Sequence, residues 1–291
     1  MPLQEISRES VLFITLDSCR YDTFIGAHLQ NLKTPGPVHK AIAPSYFTYA
    51  SHSAMFVGFT PGVPLARQSY LNPKFGRIFR LKGGGFSPQW RDGFQLSGAN
   101  IIAGFSKLGY LTIGTGAVRW FDPDTPTGSI LSAPFDHFFY PGNIFFLRRQ
   151  LSWVEERIAT VQGQPVFVFI NVGETHVPYY YNGAPWSLSD NPCRPFQTVD
   201  RSQDCRIRQT ACLEYADREL GSILQLFKDA TIVICGDHGD CWGEDGLWEH
   251  GVSHEMTLTV PLIVRMMGKD VGRCDDTREW TYSAAHSDQP H

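Results

Sequence analysis

Val11-Leu-Phe-Ile-Thr-Leu16, followed at once by Asp17, is the stretch from which the rest of the chain is read. A near-continuous apolar run of this length is what a strand buried on both faces of a parallel sheet requires. The aspartate that ends it then stands at the carboxyl end of the strand, where open α/β sheets place their ligands. Two later stretches repeat the arrangement. Residues 165–172 (PVFVFINV) run into Gly173-Glu174-Thr175-His176, and residues 231–235 (TIVIC) run into Gly236-Asp237-His238-Gly239. Three polar clusters after three apolar strands point to one edge of one sheet.

The sequence between these strands supplies helices. Residues 100–108 (NIIAGFSKL) read as a helix closed by Gly109, with a strand over 110–114. Helical periodicity marks 145–161, and a short helix is expected over 51–57. The best helix is 208–228, where Leu213, Ala216, Leu220, Ile223, Leu224 and Phe227 form one stripe. A last strand at 260–264 (VPLIV) closes the series. Strand and helix in alternation predict an α/β fold, a mostly parallel sheet sandwiched by helices. The Pro/Gly/Ser-rich segments 60–93 and 180–206 read as long insertions, which in compact domains are usually functional or mobile. One catalytic domain over 1–265 and a polar C-terminal tail over 266–291 are expected.

Composition narrows the function classes. Of 291 residues, 42% are hydrophobic and 19% charged, as in a soluble globular protein, and the formal net charge of −4 argues against a general nucleic-acid binder. Twenty Phe, eleven Tyr and seven Trp promise an aromatic core or an aromatic-lined pocket. No apolar run approaches the roughly 18–20 residues of a membrane span, and the start lacks the regions of a signal peptide. The expectation is therefore a cytoplasmic protein without membrane contact. Seven cysteines without CxxC spacing favour reduced thiols, a local bridge among Cys193, Cys205 and Cys212 being the alternative. Oligomeric state has no signature in the sequence.

The chemistry is carried by a few residues. Asp237 beside His238, where a strand gives way to glycines, can offer an oxygen and a nitrogen to one cation, the alternative being a tight turn with an Asp cap. Asp17 ends its strand in the same way, and a carboxylate there needs a partner to offset its desolvation. A shared metal supplies it.

The ordered set of motifs resembles the sulfatase-like branch of the alkaline phosphatase superfamily. Residues 11–22 (VLFITLDSCRYD) look like its first strand, with an aspartate ligand and an arginine three residues later. Residues 43–58 (APSYFTYASHSAMFVG) are similar to its nucleophile segment. Residues 237–239, 243–251 (GEDGLWEHG) and 260–264 resemble its metal-binding and closing segment. The resemblance implies an alkaline phosphatase-like fold lacking most of the usual C-terminal subdomain, since 27 residues follow Val264. It implies one divalent metal ion (Mn, Zn or Mg) held by Asp17, Asp237 and His238, with Thr48 as metal-bound nucleophile. A helix beginning just after Thr48 would aim its N–H groups at a phosphoryl group. His176 and His250 become the contacts for the substrate's charged oxygens, or the acid for its leaving group.

Formylglycine sulfatases need Cys/Ser-x-Pro-x-Arg, and this chain reads Thr48-Tyr49-Ala50-Ser51-His52. The threonine instead resembles phosphoester-cleaving and phosphotransferring relatives such as lipoteichoic acid synthases and phosphoethanolamine transferases. The expected function is a phosphoester hydrolase working through a phosphothreonine, on a small-molecule phosphate or sulfate ester. The alternatives are a sulfate-ester or phosphonate hydrolase, a phosphotransferase, and a metal-dependent binding protein without turnover. A second metal would need an Asp-x-x-x-His pair, which is missing, or His254 four residues after His250. His52 is expected to brace the nucleophile turn, and Arg20 to pair with Asp22. Asp240, Glu244 and Asp245 read as a solvated rim. Tyr179, Tyr180, Tyr181, Trp186, Trp90 and Phe86 read as aromatics able to close over a small organic phosphate.

Overall fold

The structure, a computed structural model, describes residues 6–58 and 99–272, with the backbone of two short strands at 79–81 and 94–96. In chain order the strands are β1 (Val11–Leu16), β2 (His39–Ile42), β3 (Phe79–Leu81), β4 (Phe94–Leu96), β5 (Leu111–Gly116), β6 (His137–Phe139), β7 (Val166–Val172), β8 (Thr231–Gly236), β9 (Cys241–Trp242), β10 (Trp248–Glu249), β11 (Thr259–Met266) and β12 (Lys269–Asp270). The helices are α1 (Tyr21–Gly26), α2 (Thr48–Val57), α3 (Ile101–Lys107), α4 (Pro126–Ser132), α5 (Leu147–Ile158), α6 (Ser202–Leu226) and α7 (Glu255–Leu258). The main sheet runs β12-β11-β8-β1-β7-β5-β6, with β2 added to β11. From β8 to β6 every pairing is parallel, and β11 is antiparallel to β8. The mostly parallel α/β sheet is thus the observed architecture.

The period of two along β1 and β7 sorts their side chains into two cores. Leu12, Ile14 and Leu16, with Val166, Val168, Ile170 and Val172, face Phe24 of α1, Leu151 and Val154 of α5, and Leu213 and Leu220 of α6. Phe167 and Phe169 point the other way, toward Phe56 of α2, Ile102 of α3 and Leu131 of α4. There Phe105 stacks on Phe167 with centroids 4.6 Å apart, and Phe56 meets Phe169 edge-on at 5.2 Å. Much of the phenylalanine content is therefore one aromatic core. The six described cysteines are buried and free.

Several boundaries differ from the sequence reading. The long helix α6 begins at Ser202, well before residue 208. Its first turns hide their stripe because the buried face there carries Cys205, Arg208 and Gln209 in place of aliphatics. Arg208 is neutralised by Asp190 and Asp204, and the 180–201 segment packs on it through Cys193, Tyr181 and Trp186. The last strand runs to Met266 and folds back into β12, past the expected boundary at 265. Apart from the backbone of β3, the insertion at 60–93, with Phe86 and Trp90, lies outside the described residues, as does the tail beyond 272. No helix among the described residues is long and apolar enough to cross a membrane.

Candidate active site

Strand register builds the site. Leu16 of β1 is level with Val172 of β7 on one side and with Gly236 of β8 on the other. The next residues, Asp17, Gly173 and Asp237, therefore leave the sheet together. Asp17, Asp237 and His238 are fully buried. Asp237 Oδ1 accepts from the N–H groups of Ser18 at 3.1 Å and His238 at 2.9 Å. Its other oxygen, Oδ2, has no hydrogen-bond partner. Gly239 is needed because a Cβ there would fall 2.2 Å from the Met256 carbonyl oxygen.

His238 has one proton to place. A carbonyl can only accept, so Nδ1–H donates to Gly239 O at 3.0 Å, and Nε2 faces the carboxylates as a bare lone pair. That nitrogen lies 3.7 Å from Asp17 Oδ1 and 3.6 Å from Asp237 Oδ2. Burial, and then the charge on His250, push His238 down to about 4. Burial, and then the neighbouring Asp17, hold the Asp237 carboxyl well above the usual range.

The helix α2 starts at Thr48 itself, not after it, so Thr48 lies in the first turn, where N–H groups lack intrahelical partners. Thr48 Oγ1 is 3.3 Å from His238 Nε2 and 3.4 and 3.5 Å from the two oxygens of Asp17. His52 fixes this turn. Its Nδ1–H donates to Thr48 O at 2.8 Å, leaving Nε2 to accept from Thr15 Oγ1 at 2.9 Å. Burial brings His52 down to about 4, so it braces as a neutral ring.

These residues fit a divalent cation. Two buried carboxylates, an unprotonated imidazole nitrogen and a hydroxyl converge, and Asp237 Oδ2 has no partner in the protein. Buried charge of one sign without a counter-ion is costly, and oxygens plus one imidazole nitrogen form a plausible metal-ligand set. A second cluster, His238, Asp240 and His250, also has ligating atoms within reach of one another. Asp240 is differently placed, however, since both its oxygens are already engaged. Oδ1 bonds His250 Nδ1 at 2.8 Å and Oδ2 accepts from Tyr179 O–H at 2.7 Å. His254 instead caps α7 and bonds Asp245.

The expected rim needs correction. Asp240 is completely buried, and Glu244 pairs with Arg20 at 2.7 Å; only Asp245 stands in solvent. Arg20 explains the difference, because its buried guanidinium lies 4.0 Å over the Trp242 ring and draws Asp22 and Glu244 inward. The aromatic expectation changes too. Tyr179 is fully buried, and Tyr181 and Trp186 pack against a cluster that includes Cys193, Cys205 and Cys212, so these three are structural.

His176 and His250 stand beside the cluster, their ring centroids 5.1 Å apart, with His250 4.6 Å from His238. His176 Nδ1–H donates to Val177 O at 2.7 Å, which leaves its Nε2 free of that bond. Burial by itself lowers His250, but the hydrogen bond and charge of Asp240 outweigh it and raise the ring to about 9.

Glu174, by contrast, points away. Its Oε1 accepts from Leu147 N–H at 2.9 Å, and burial raises it to about 8. The native state thus keeps a proton that the unfolded state loses above about 4.5, so stability falls as pH rises from 4.5 to 8. Glu174→Gln keeps the bond to Leu147 and removes this slope. Its Tm should gain on the wild type progressively across that window, and parallel curves would refute the assignment.

Two bracing residues escaped the sequence reading. Asn171 donates to Asp17 Oδ2 at 3.2 Å and Thr15 Oγ1 at 3.3 Å, while its own carbonyl oxygen accepts from Ala117 N–H. A lone amide inside the apolar run PVFVFINV was its signal. Gln209 of α6 donates to the carbonyls of Ser18 and Thr175 and accepts from Arg20 N–H, tying two strand-end loops together. Nothing local distinguishes that glutamine from a surface one.

A family model described as Sulfatase matches residues 11–289, from the first strand past the Asp237-His238 pair. The chain belongs to the sulfatase family. Among solved structures, this sulfatase-family chain is similar to the C-terminal periplasmic domain of a phosphoethanolamine transferase from Campylobacter jejuni, at 14% identity and TM-score 0.57, over 89% of this chain and 80% of that one. The corresponding domain from Escherichia coli, in complex with Zn, aligns at 11% identity and TM-score 0.56, over 90% and 74%. The lipoteichoic acid synthase LtaP from Listeria monocytogenes aligns at 11% and 0.54, over 90% and 66%. At these identities the likeness is one of fold. No curated protein matches the sequence.

Proposed function

We propose that this sulfatase-family chain is a metal-dependent phosphoester hydrolase with Thr48 as nucleophile and Asp17, Asp237, His238 and Thr48 as metal ligands. The observation that carries the reading is the convergence of Thr48 Oγ1, the bare Nε2 of His238 and the unpartnered Oδ2 of Asp237 at one buried point. A divalent cation there would offset the two carboxylates and lower the proton affinity of the threonine hydroxyl.

The chain's own groups supply the rest. Thr48 Oγ1, whose proton passes to solvent and returns from it at the end of the cycle, forms a bond to phosphorus as the bond to the leaving oxygen breaks in line with it. The first-turn N–H groups of α2 face the charged equatorial oxygens. His250, held protonated by Asp240, gives a proton to the departing oxygen. Water then attacks the phosphothreonine, passing a proton back to His250, and Thr48 is released with inorganic phosphate. His176, with Nδ1 committed to Val177 O, contacts the substrate through Nε2. Threonine in place of a formylglycine precursor favours phosphorus over sulfur.

The transferase names of two fold neighbours favour one second reading, in which an acceptor alcohol replaces water. The test is a panel of 4-nitrophenyl phosphate, bis(4-nitrophenyl) phosphate, 4-nitrophenyl phenylphosphonate and 4-nitrophenyl sulfate, each with Mn, Zn or Mg and with or without added glycerol. Phosphate ester cleavage that needs metal supports the proposal. Cleavage of the sulfate alone would sink it, and a glycerol phosphate product would move it to the transferase.

A further inference from the structure

We propose that Tyr179 and Trp242 are positioning residues that act through Asp240 to fix the His250 ring; this rests on the reading of His250 given above. Four buried or nearly buried groups form one line of hydrogen bonds. Trp242 Nε1–H donates to Tyr179 Oη at 2.7 Å, Tyr179 O–H donates to Asp240 Oδ2 at 2.7 Å, and His250 Nδ1–H donates to Asp240 Oδ1 at 2.8 Å. Tyr179 and Asp240 are fully buried and Trp242 is 2% exposed.

Each link has one available sense. The indole N–H can only donate, so the phenol oxygen accepts it and has one O–H left to give. That O–H goes to the carboxylate, whose two oxygens are then shared between Tyr179 and His250. With Nδ1 committed to Asp240, His250 is left with Nε2 as the atom it can present to the site. A carboxylate behind an imidazole sets its tautomer and orientation, and here the tyrosine and tryptophan set the carboxylate.

The anchor itself is rigid. Tyr179 holds a φ of 59°, uncommon for a residue with a side chain. Its N–H donates to His176 O at 2.8 Å, and its carbonyl accepts from Trp186 Nε1 at 2.9 Å. The Arg20 guanidinium lies over the Trp242 ring, 4.0 Å from its centroid. One tyrosine therefore ties together the strand-end loop bearing His176 and the carboxylate behind His250. The arrangement also separates Asp240 from the neighbouring Asp237, whose Oδ2 has no partner.

The experiment is a double-mutant cycle on the Zn-loaded protein with 4-nitrophenyl phosphate, joined to nitrogen NMR of labelled histidines. Tyr179→Phe should lower kcat about tenfold or more, in the range of lost outer-shell partners, with KM within about threefold and bound metal unchanged. In a His250→Gln background the same change should cost nothing further, because the relay acts through that ring alone. An additive loss, or full activity in Tyr179→Phe beside a crippled His250→Gln, overturns the relay and leaves the proposed reaction standing. Full activity in His250→Gln overturns both. If Tyr179→Phe does not fold, the wild-type spectrum still decides. Nδ1 of His250 must carry a hydrogen-bonded proton, and a bare Nδ1 would refute the relay without any turnover.

Discussion

Thr48→Ala is expected to lower kcat about 10³-fold or more on every ester the wild type cleaves, as loss of a nucleophile does. The competing role for Thr48 is structural, as the residue that opens α2. That role predicts little here. Thr48 is the first helical residue, Phe47 is the N-cap, and no side-chain capping bond is made. Alanine is a good helix former at such a position, so Tm should change little. The decisive measurement is mass spectrometry of the intact protein and of its peptide digest after rapid acid quench. The wild type should carry one added phosphoryl group on the peptide containing Thr48, and the variant none. A variant that keeps its rate, or a wild-type label elsewhere, would remove Thr48 from the reaction.

The second large effect concerns Asp237→Asn, and its sign depends on metal. The amide oxygen can keep the bonds from Ser18 N–H and His238 N–H, so the strand-end turn survives. Without metal the variant should be the more stable protein at neutral pH. Burial and the adjacent Asp17 hold the Asp237 carboxyl above its ordinary 3.8, so the native state retains a proton that the unfolded state gives up. That destabilises the wild type as pH rises above about 4, and the advantage of the variant vanishes below it. With metal the order reverses. A ligand at 1,000 times its Kd stabilises by about 4 kcal/mol, which the wild type should gain and the variant should not. Calorimetry with and without Zn, Mn or Mg checks both halves. An equal metal-induced rise in Tm for both proteins would take Asp237 off the ligand set. Wild-type metal affinity should also climb with pH, since the bound carboxyl must lose its proton.

How much of this was legible in sequence follows from the range of the interactions. Helix α3 could be placed because its signals are local, with Asn100 capping Ala103 N–H and Gly109 following its last turn. The start of α6 could not. Its buried face there is built from Arg208, Gln209 and Cys205, which look exposed until the 180–201 segment is folded onto them. The three acidic residues after Gly239 show the same limit. In one dimension Asp240, Glu244 and Asp245 are alike, yet the fold buries the first under Tyr179 and His250 and half-buries the second against Arg20. Only the third is left in water.

The run from Val11 to Asp17 shows where the division falls. Apolar continuity made it a buried parallel strand, and the carboxylate at its end made it an edge residue of the sheet; both depend on neighbours along the chain. The resemblance of residues 43–58 to a sulfatase-like nucleophile segment likewise implied a threonine where a formylglycine precursor would stand. Tertiary structure decided what those residues face. The level register of β1, β7 and β8 brings Asp17 beside Asp237, and the carbonyl of Gly239 turns Nε2 of His238 toward Thr48. It also decided that Asp240 stands behind a histidine and not in solvent. A carboxylate's role depends on which donors reach it in three dimensions, and those donors come from residues far apart along the chain.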